Sequence, residues 1–221
     1  MDLYGRYLLP RLTHVAMTAP VLHGYRRRAA AQARGVVLEL GFGSGLNLPH
    51  YDPARVERLI ALEPERRLLR IARPRIAAAP FPVQVMVAGA EAIPLPDASV
   101  DTVLCTWTLC SIPRIAQALA EARRVLRADG RFVFAEHGLS PEPRVARLQV
   151  RLAPLWSRCA GGCRLDRCAD RLLAGAGFQF DALSARSLGR PKFLTWMIEG
   201  AAHPPPATAP PAVPPAARTV V

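Results

Sequence analysis

Two stretches of the chain carry residue types that could do chemistry. The first is "ELGFGSGLN" at 39–47, where Gly41, Gly43 and Gly45 alternate just after a carboxylate, Glu39. Glycines at that spacing let a ligand lie against the backbone. A second carboxylate, Glu63, follows about 20 residues on, where a doubly wound fold sets an acid on ribose hydroxyls. The other stretch is "WSRCAGGCRLDRC" at 156–168, with Cys159, Cys163 and Cys168 close together. Thiols so placed could hold a metal, form a redox pair, or wall a site whose chemistry lies elsewhere.

The charge of the glycine turn chooses between ligands. A dinucleotide would bring a doubly negative pyrophosphate beside Glu39, which repels it. S-adenosylmethionine brings an ammonium and a sulfonium, for which a nearby carboxylate is favourable. The spacing also departs from G-x-G-x-x-G, because Leu46 stands in the third glycine's place. S-adenosylmethionine is therefore the expected cofactor.

The cysteine run does not ask for a metal. Zinc takes four ligands, and only three thiols are offered. The nearest histidines in sequence are His137 and His203, and Arg158, Arg164, Arg167 and Arg171 crowd the same stretch. Arginines support thiolates and oppose a dication, so no metal is expected. Gly161 and Gly162 read as a turn between two helices, with Cys159 ending the first and Asp166 capping the second. Cys168 then faces inward with Leu172, and Cys163 falls at the mouth of a pocket.

These residues need elements to hold them. "VVLELG" (36–41), "ERLIALEP" (57–64), "FPVQVMVA" (81–88), "SVDTVLCTW" (99–107) and "GRFVFAEHG" (130–138) read as buried strands. Between the last two, Ile115, Ala118, Leu119, Ala122, Val125 and Leu126 form one helical stripe, with Ser111 as its expected cap, Pro113 in its first turn and Arg123, Arg124 and Arg127 toward its C-terminal end. A helix over 63–79 should kink at Pro74. Strands alternating with helices build a parallel sheet with right-handed crossovers. "GFQFDALSAR" and "KFLTWMIEG" close it. Residues 1–34 read as an N-terminal helical segment broken near Pro10 and Pro20, with Leu3, Tyr4, Tyr7, Leu8, Leu12 and Val15 as its apolar stripe. That stripe covers the domain's own pocket or, in the alternative, touches lipid. From Ala201 the composition turns to Pro and Ala, and 201–221 reads as a disordered tail.

In their order along the chain, "VLELGFGSGLN", "LEPE", "AGAEAIPLPDASVDTVLCTWTLCSI", "ALAEARRVLRADGRFVFAEHG" and "AGF" resemble the class I S-adenosylmethionine-dependent methyltransferases. The resemblance covers roughly 35–200. It implies an α/β domain with a Rossmann-like, doubly wound seven-stranded sheet, mostly parallel with an antiparallel closing strand, and a lid insertion at about 139–165. It also implies roles. Glu39, Gly41, Gly43 and Gly45 would line the methionine part of the cofactor, with Asn47 and Pro64 in the same binding set. Glu63 would hold the ribose. Ala90 and Glu91 would meet the adenine, Glu91 standing where many relatives carry Asp. Thr106 would sit at the channel of methyl transfer.

A narrower set, Cys105, Thr106, Leu109, Cys110, Ser111, Glu136, His137, Trp156, Gly162 and Cys163, resembles the thiol S-methyltransferase branch and its bacterial relatives. It implies a small apolar acceptor, a thiol first, met by Cys110, His137, Trp156 and Cys163. Phospholipid N-methyltransferases and quinone C-methyltransferases share the cofactor half and stay open as alternatives. His137, at a strand's C-terminal end, is a candidate base or orienter, and equally a structural histidine tied to Glu136 or to a backbone carbonyl. Trp156, with Leu152 and Leu155, either lids the acceptor or packs an inserted helix.

Composition bounds the rest. The chain has 221 residues, half of them apolar, which suits one domain with a sizeable core. Its net charge of +12 is almost all arginine, Lys192 being the one lysine. The arginines are spread along the chain and aromatics are only 6% of it, so no nucleic acid is expected as partner. A basic RNA-binding protein or a non-catalytic cofactor-binding relative is the alternative from another class. No run resembles a signal peptide or a membrane span, and five cysteines, an odd number, suit free thiols in a cytoplasm. Peripheral membrane contact through residues 1–34 is the one exception entertained.

Overall fold

The computed structural model describes residues 4–205. A π-helical turn (Tyr4–Leu8) leads into α1 (Leu9–Met17) and α2 (Pro20–Ala30), and then the alternation begins. It runs β1 (Gly35–Leu40), β2 (Val56–Leu62), α3 (Arg66–Ala77), β3 (Val83–Met86), β4 (Val100–Thr106), α4 (Ile115–Val125) and β5 (Leu126–His137). Two helices, α5 (Pro143–Cys159) and α6 (Ala169–Gly175), precede the closing strands β6 (Gln179–Ser187) and β7 (Trp196–His203).

The seven strands form one sheet in the order β3-β2-β1-β4-β5-β7-β6. β1 to β5 are parallel, and β7 runs antiparallel to both of its neighbours. Each strand of the centre is apolar on both faces because helices cover both. Leu38, Leu40, Val103, Phe132 and Phe134 pack with Ala118, Leu119, Ala122 and Val125 of α4 and Leu173 of α6. Val37, Leu59, Leu104 and Val133 pack with Tyr25, Ala29 and Ala30 of α2 and Ala72 of α3. The chain order reverses between β1 and β4, whose registers pair Glu39 with Leu104 and Leu40 with Cys105. The crevice beyond the carboxyl ends of those two strands is where such sheets bind ligands.

Several local expectations change. Ser111 caps nothing: α4 starts at Ile115 with Arg114 at its N-cap, and the Ser111 amide instead closes a turn on the Thr108 carbonyl. Asp166 does not cap α6 either. Its carboxylate is taken by Arg164 in two hydrogen bonds, and Cys168 occupies the N-cap. α3 is continuous through Pro74, which lies so near its end that one turn remains. β5 begins four residues earlier than its apolar run, and a register shift opposite Val100–Thr102 separates that first part from the rest of the strand. β7 continues through Ala201 and Ala202, both buried against β5 and β6, so the Pro/Ala-rich segment starts later than composition suggests. Residues 206–221, the rest of the expected disordered tail, lie outside the described residues, as does Leu3.

Candidate active site

Glu39, one residue from the end of β1, has its carboxylate buried. Tyr51 donates its hydroxyl to Oε2 at 2.6 Å, and Asn47 donates Nδ2 to Oε1 at 2.9 Å. The same Asn47 nitrogen reaches Thr106 Oγ1 at 3.0 Å, while its Oδ1 accepts from Arg26 Nη1 at 3.0 Å. Arg26 is itself buried, donates to the Met17 carbonyl, and stacks over the Trp107 ring at 4.7 Å. Burial pushes the Glu39 carboxyl up to about 7, against the pull of these donors.

Glu63 follows β2. Its Oε2 accepts the Gly43 amide at 2.8 Å and its Oε1 the Glu65 amide at 2.8 Å. Burial raises this carboxyl too. Each oxygen keeps a further lone pair for a ligand. Gly41 and Gly43 hold φ near +67 and +59, and a Cβ at Gly41 would overlap the Thr108 side chain. Trp107 also has a positive φ, +49, a costly conformation for a bulky residue that its neighbours must enforce. Its amide bonds the Ala135 carbonyl, and Glu136 Oε1 accepts the next two amides, those of Thr108 and Leu109.

These residues surround a cavity of about 380 Å³, within the ordinary range for a small-ligand site. Glu39, the glycine turn, Glu63, Pro64, Ala90, Glu91 and Thr106 line the end nearest the sheet. The remaining wall comes from α1 (Leu9, Pro10, Thr13, His14, Met17), the turn after β4 (Trp107, Ser111, Ile112, Pro113) and the turn after α5 (Ala160, Gly161).

A methyltransferase-domain family model matches residues 38–134. A human thiol S-methyltransferase, TMT1B, is 32% identical over 174 residues, covering 77% of this chain and 69% of its own. The chain is a class I S-adenosylmethionine-dependent methyltransferase. Further similarity extends to a ubiquinone/menaquinone biosynthesis C-methyltransferase, UbiE, of Geotalea uraniireducens, 30% identical over 51% of each chain. The fold is shared with the crystal structure of a SAM-dependent methyltransferase from Thermotoga maritima at a TM-score of 0.60, 22% identity, and coverage of 90% of this chain and 98% of that one.

S-adenosylmethionine is the cofactor of this methyltransferase, and the buried carboxylates suit it. The cavity end formed by the glycine turn presents Glu39, Glu63 and backbone, a donor-poor surface for a pyrophosphate and a favourable one for an ammonium and ribose hydroxyls. Of the residues expected to bind it, Gly45 and Asn47 stand outside the lining. Gly45 packs on Phe42, Leu48 and Ala72, and Asn47 reaches the site through Glu39 and Thr106.

The residues expected at the acceptor are arranged differently. Cys110, His137, Trp156 and Cys163 do not line the cavity. His137 Nε2 meets Cys163 Sγ at 3.2 Å, and Cys110 completes a group with them. His137, distant from the cysteines along the chain, is their neighbour in space, because the end of β5 meets the turn after α5. Trp156 packs edge-on to Phe193 at 6.4 Å. The N-terminal stripe also faces the other way. Tyr4, Tyr7, Leu8, Leu12 and Val15 are exposed, whereas Leu9, Pro10, Thr13, His14 and Met17 of α1 roof the cavity.

Sequence reading missed Arg26, Tyr51 and His14. Arg26 sits in "YRRRAA", where nothing separates it from Arg27 and Arg28 until the fold buries it. His14 lines the cavity with Nδ1 at 2.8 Å from Ser44 Oγ. Among the described residues, no helix is long and apolar enough to cross a membrane.

Proposed function

We propose that this methyltransferase methylates a small apolar thiol. The observation that carries the reading is the division of the cavity. Its carboxylates, Glu39, Glu63, Glu65 and Glu91, lie toward the sheet, while Leu9, Met17, Trp107, Ile112 and Pro113 make most of the remaining wall apolar, with Thr13, His14 and Ser111 as its polar members. The naming of the human relative as a thiol S-methyltransferase agrees with it.

In this reading Glu39, oriented by Asn47 and Tyr51, faces the cofactor's ammonium, and Glu63 takes the ribose hydroxyls. Ala90 through its backbone and Glu91 through its carboxylate meet the adenine, with Pro64 alongside. When bound, S-adenosylmethionine supplies a methyl group on a sulfonium, open to displacement by a nucleophile in line with it. The chain's contribution is to position the pair and exclude water, which supplies several kcal/mol of the barrier. Thr106 holds its hydroxyl at the junction of the two halves. His14 is the imidazole in the cavity wall, and burial, followed by the Arg75 cation, keeps it below the ordinary range. It is therefore neutral near pH 7 and able to take the thiol proton. His137 is a positioning residue that holds Cys163, and with it the turn carrying Ala160 and Gly161. Cys110 and Trp156 back the same wall.

A second reading, an acceptor carried in a membrane surface, is favoured by the exposed row Leu8, Leu12 and Val15 on the outside of α1. One experiment separates the two. Labelled methyl is offered from S-adenosylmethionine to a short alkyl thiol, to a quinol, and to anionic phospholipid vesicles in parallel. Label in the thiol supports the first reading. Label in lipid or quinol alone overturns it.

A further inference from the structure

Cys110, His137 and Cys163 come from three separate parts of the chain: the turn after β4, the last residue of β5, and the turn after α5. Their donor atoms all lie within 4.8 Å of one another. Zinc with Zn–S near 2.3 Å and Zn–N near 2.0 Å sets neighbouring tetrahedral donors roughly 3.5–3.8 Å apart. No spacing here therefore exceeds the coordinating value by more than about 1 Å, within reach of side-chain rotation. His137 Nε2 and Cys163 Sγ, at 3.2 Å, are already at that scale. His137 Nδ1 is buried with no partner, so the Cys163 contact is the ring's single hydrogen bond among the described residues.

Of the nearby arginines, Arg164 is offset by Asp166 in an ion pair. Arg167 donates to the Leu109 and Ile112 carbonyls and keeps its charge near Cys110 and Cys163, where it favours the thiolate forms that a cation needs. Glu136, beside His137, keeps one buried oxygen, Oε2, without a partner among the described residues.

We propose that Cys110, His137 and Cys163 bind a thiophilic divalent cation of the zinc class, leaving its fourth position to water or an added ligand. Two thiols and an imidazole form the soft donor set that selects such ions. Each thiol releases its proton to solvent as its metal–sulfur bond forms, and two thiolates balance the dication. Arg164 already donates its amide to the Cys110 carbonyl at 3.0 Å. The ion would fasten this contact and fix Ser111 and Gly161, both in the cavity wall.

The test is titration of the full chain, reduced and freed of metal by a chelator, with Co²⁺ and then Zn²⁺. The expected result is one Co²⁺ per chain with thiolate-to-cobalt absorption, displaced by Zn²⁺. C110S and C163S should lose that absorption, and H137A should weaken binding more than about tenfold, the scale at which even outer partners of a metal matter. C159S and C168S should leave it unchanged. X-ray absorption of the wild-type Zn²⁺ form guards against variants that fail to fold, with two sulfur ligands and one imidazole nitrogen expected. Absence of the thiolate band in wild type, its persistence in C163S, or a sulfur-free coordination shell each overturns the proposal.

Discussion

The Gly43 amide donates to Glu63 Oε2 at 2.8 Å, joining the turn after β1 to the end of β2 before any ligand arrives. The Glu65 amide holds the other oxygen, so the carboxylate has one orientation. Replacing Glu63 with Ala removes both acceptors and the ribose contact assigned to it. Hydrogen bonds to a charged group contribute about 1.5–3 kcal/mol, so S-adenosylhomocysteine affinity should fall roughly 10- to 100-fold in E63A. Calorimetric titration measures it, and an unchanged affinity would remove Glu63 from the cofactor site.

Glu39 sets a dependence on pH. Its folded pKa, about 7, lies above the ordinary carboxyl value because of burial. The apoprotein thus binds the proton more tightly than the unfolded chain does. That contribution to stability is complete below the unfolded pKa and is lost as pH rises through about 7. The melting temperature of the apoprotein should accordingly fall between about pH 5 and 8, and less so in E39Q. Cofactor affinity should move the opposite way, rising toward pH 7 as the carboxylate that faces an ammonium ionises. Affinity independent of pH in wild type would show that Glu39 does not meet the ammonium.

Arg26 ties α2 to the site through Asn47 Oδ1 and the Trp107 ring. R26M keeps much of the packing but leaves the Asn47 oxygen buried and unpaired, a loss of about 1–3 kcal/mol. R26K should also be destabilised, since an ammonium cannot bridge Asn47, the Met17 carbonyl and an indole face together. Thermal unfolding of the three proteins, with and without cofactor, checks this.

His14→Ala should lower kcat toward the thiol by roughly 100-fold, the lower end for a lost general base, with cofactor binding little changed. The deficit should shrink at alkaline pH, where the acceptor ionises unaided. A deficit that is constant with pH would mean that His14 only packs.

The outer face of α1 is tested by charge. L12E with V15E should abolish any binding to anionic vesicles and leave methylation of a water-soluble thiol intact, because both side chains are exposed and neither lines the cavity. Sedimentation with vesicles measures the first, and label transfer the second.

The glycine turn and the strands beside it were legible in the sequence because their signals are local. A glycine turn between a buried strand and Glu63 specifies its own geometry, and the strand runs need only their apolar residues. Periodicity reported that residues 1–17 carry an apolar row, but not which side of the helix would meet the protein, and α1 turns Leu12 and Val15 outward. The two expected helix caps fail for different reasons: α4 starts only at Ile115, four residues past Ser111, and the Asp166 carboxylate is held by the Arg164 guanidinium. His137 ends β5 and Cys163 lies in the turn after α5, 26 residues on, so only the tertiary fold brings them together.

The residues lining the cofactor end of the cavity, from Glu39 to Thr106, belong to one contiguous stretch, while the opposite wall is supplied by segments before and after it. That separation makes the molecule modular. A chimera that kept 35–106 and exchanged α1 and the 160–164 turn for those of a relative would inherit cofactor recognition from one parent and acceptor preference from the other. With the two ends assigned as proposed, the acceptor wall can be exchanged without altering any residue between Glu39 and Thr106.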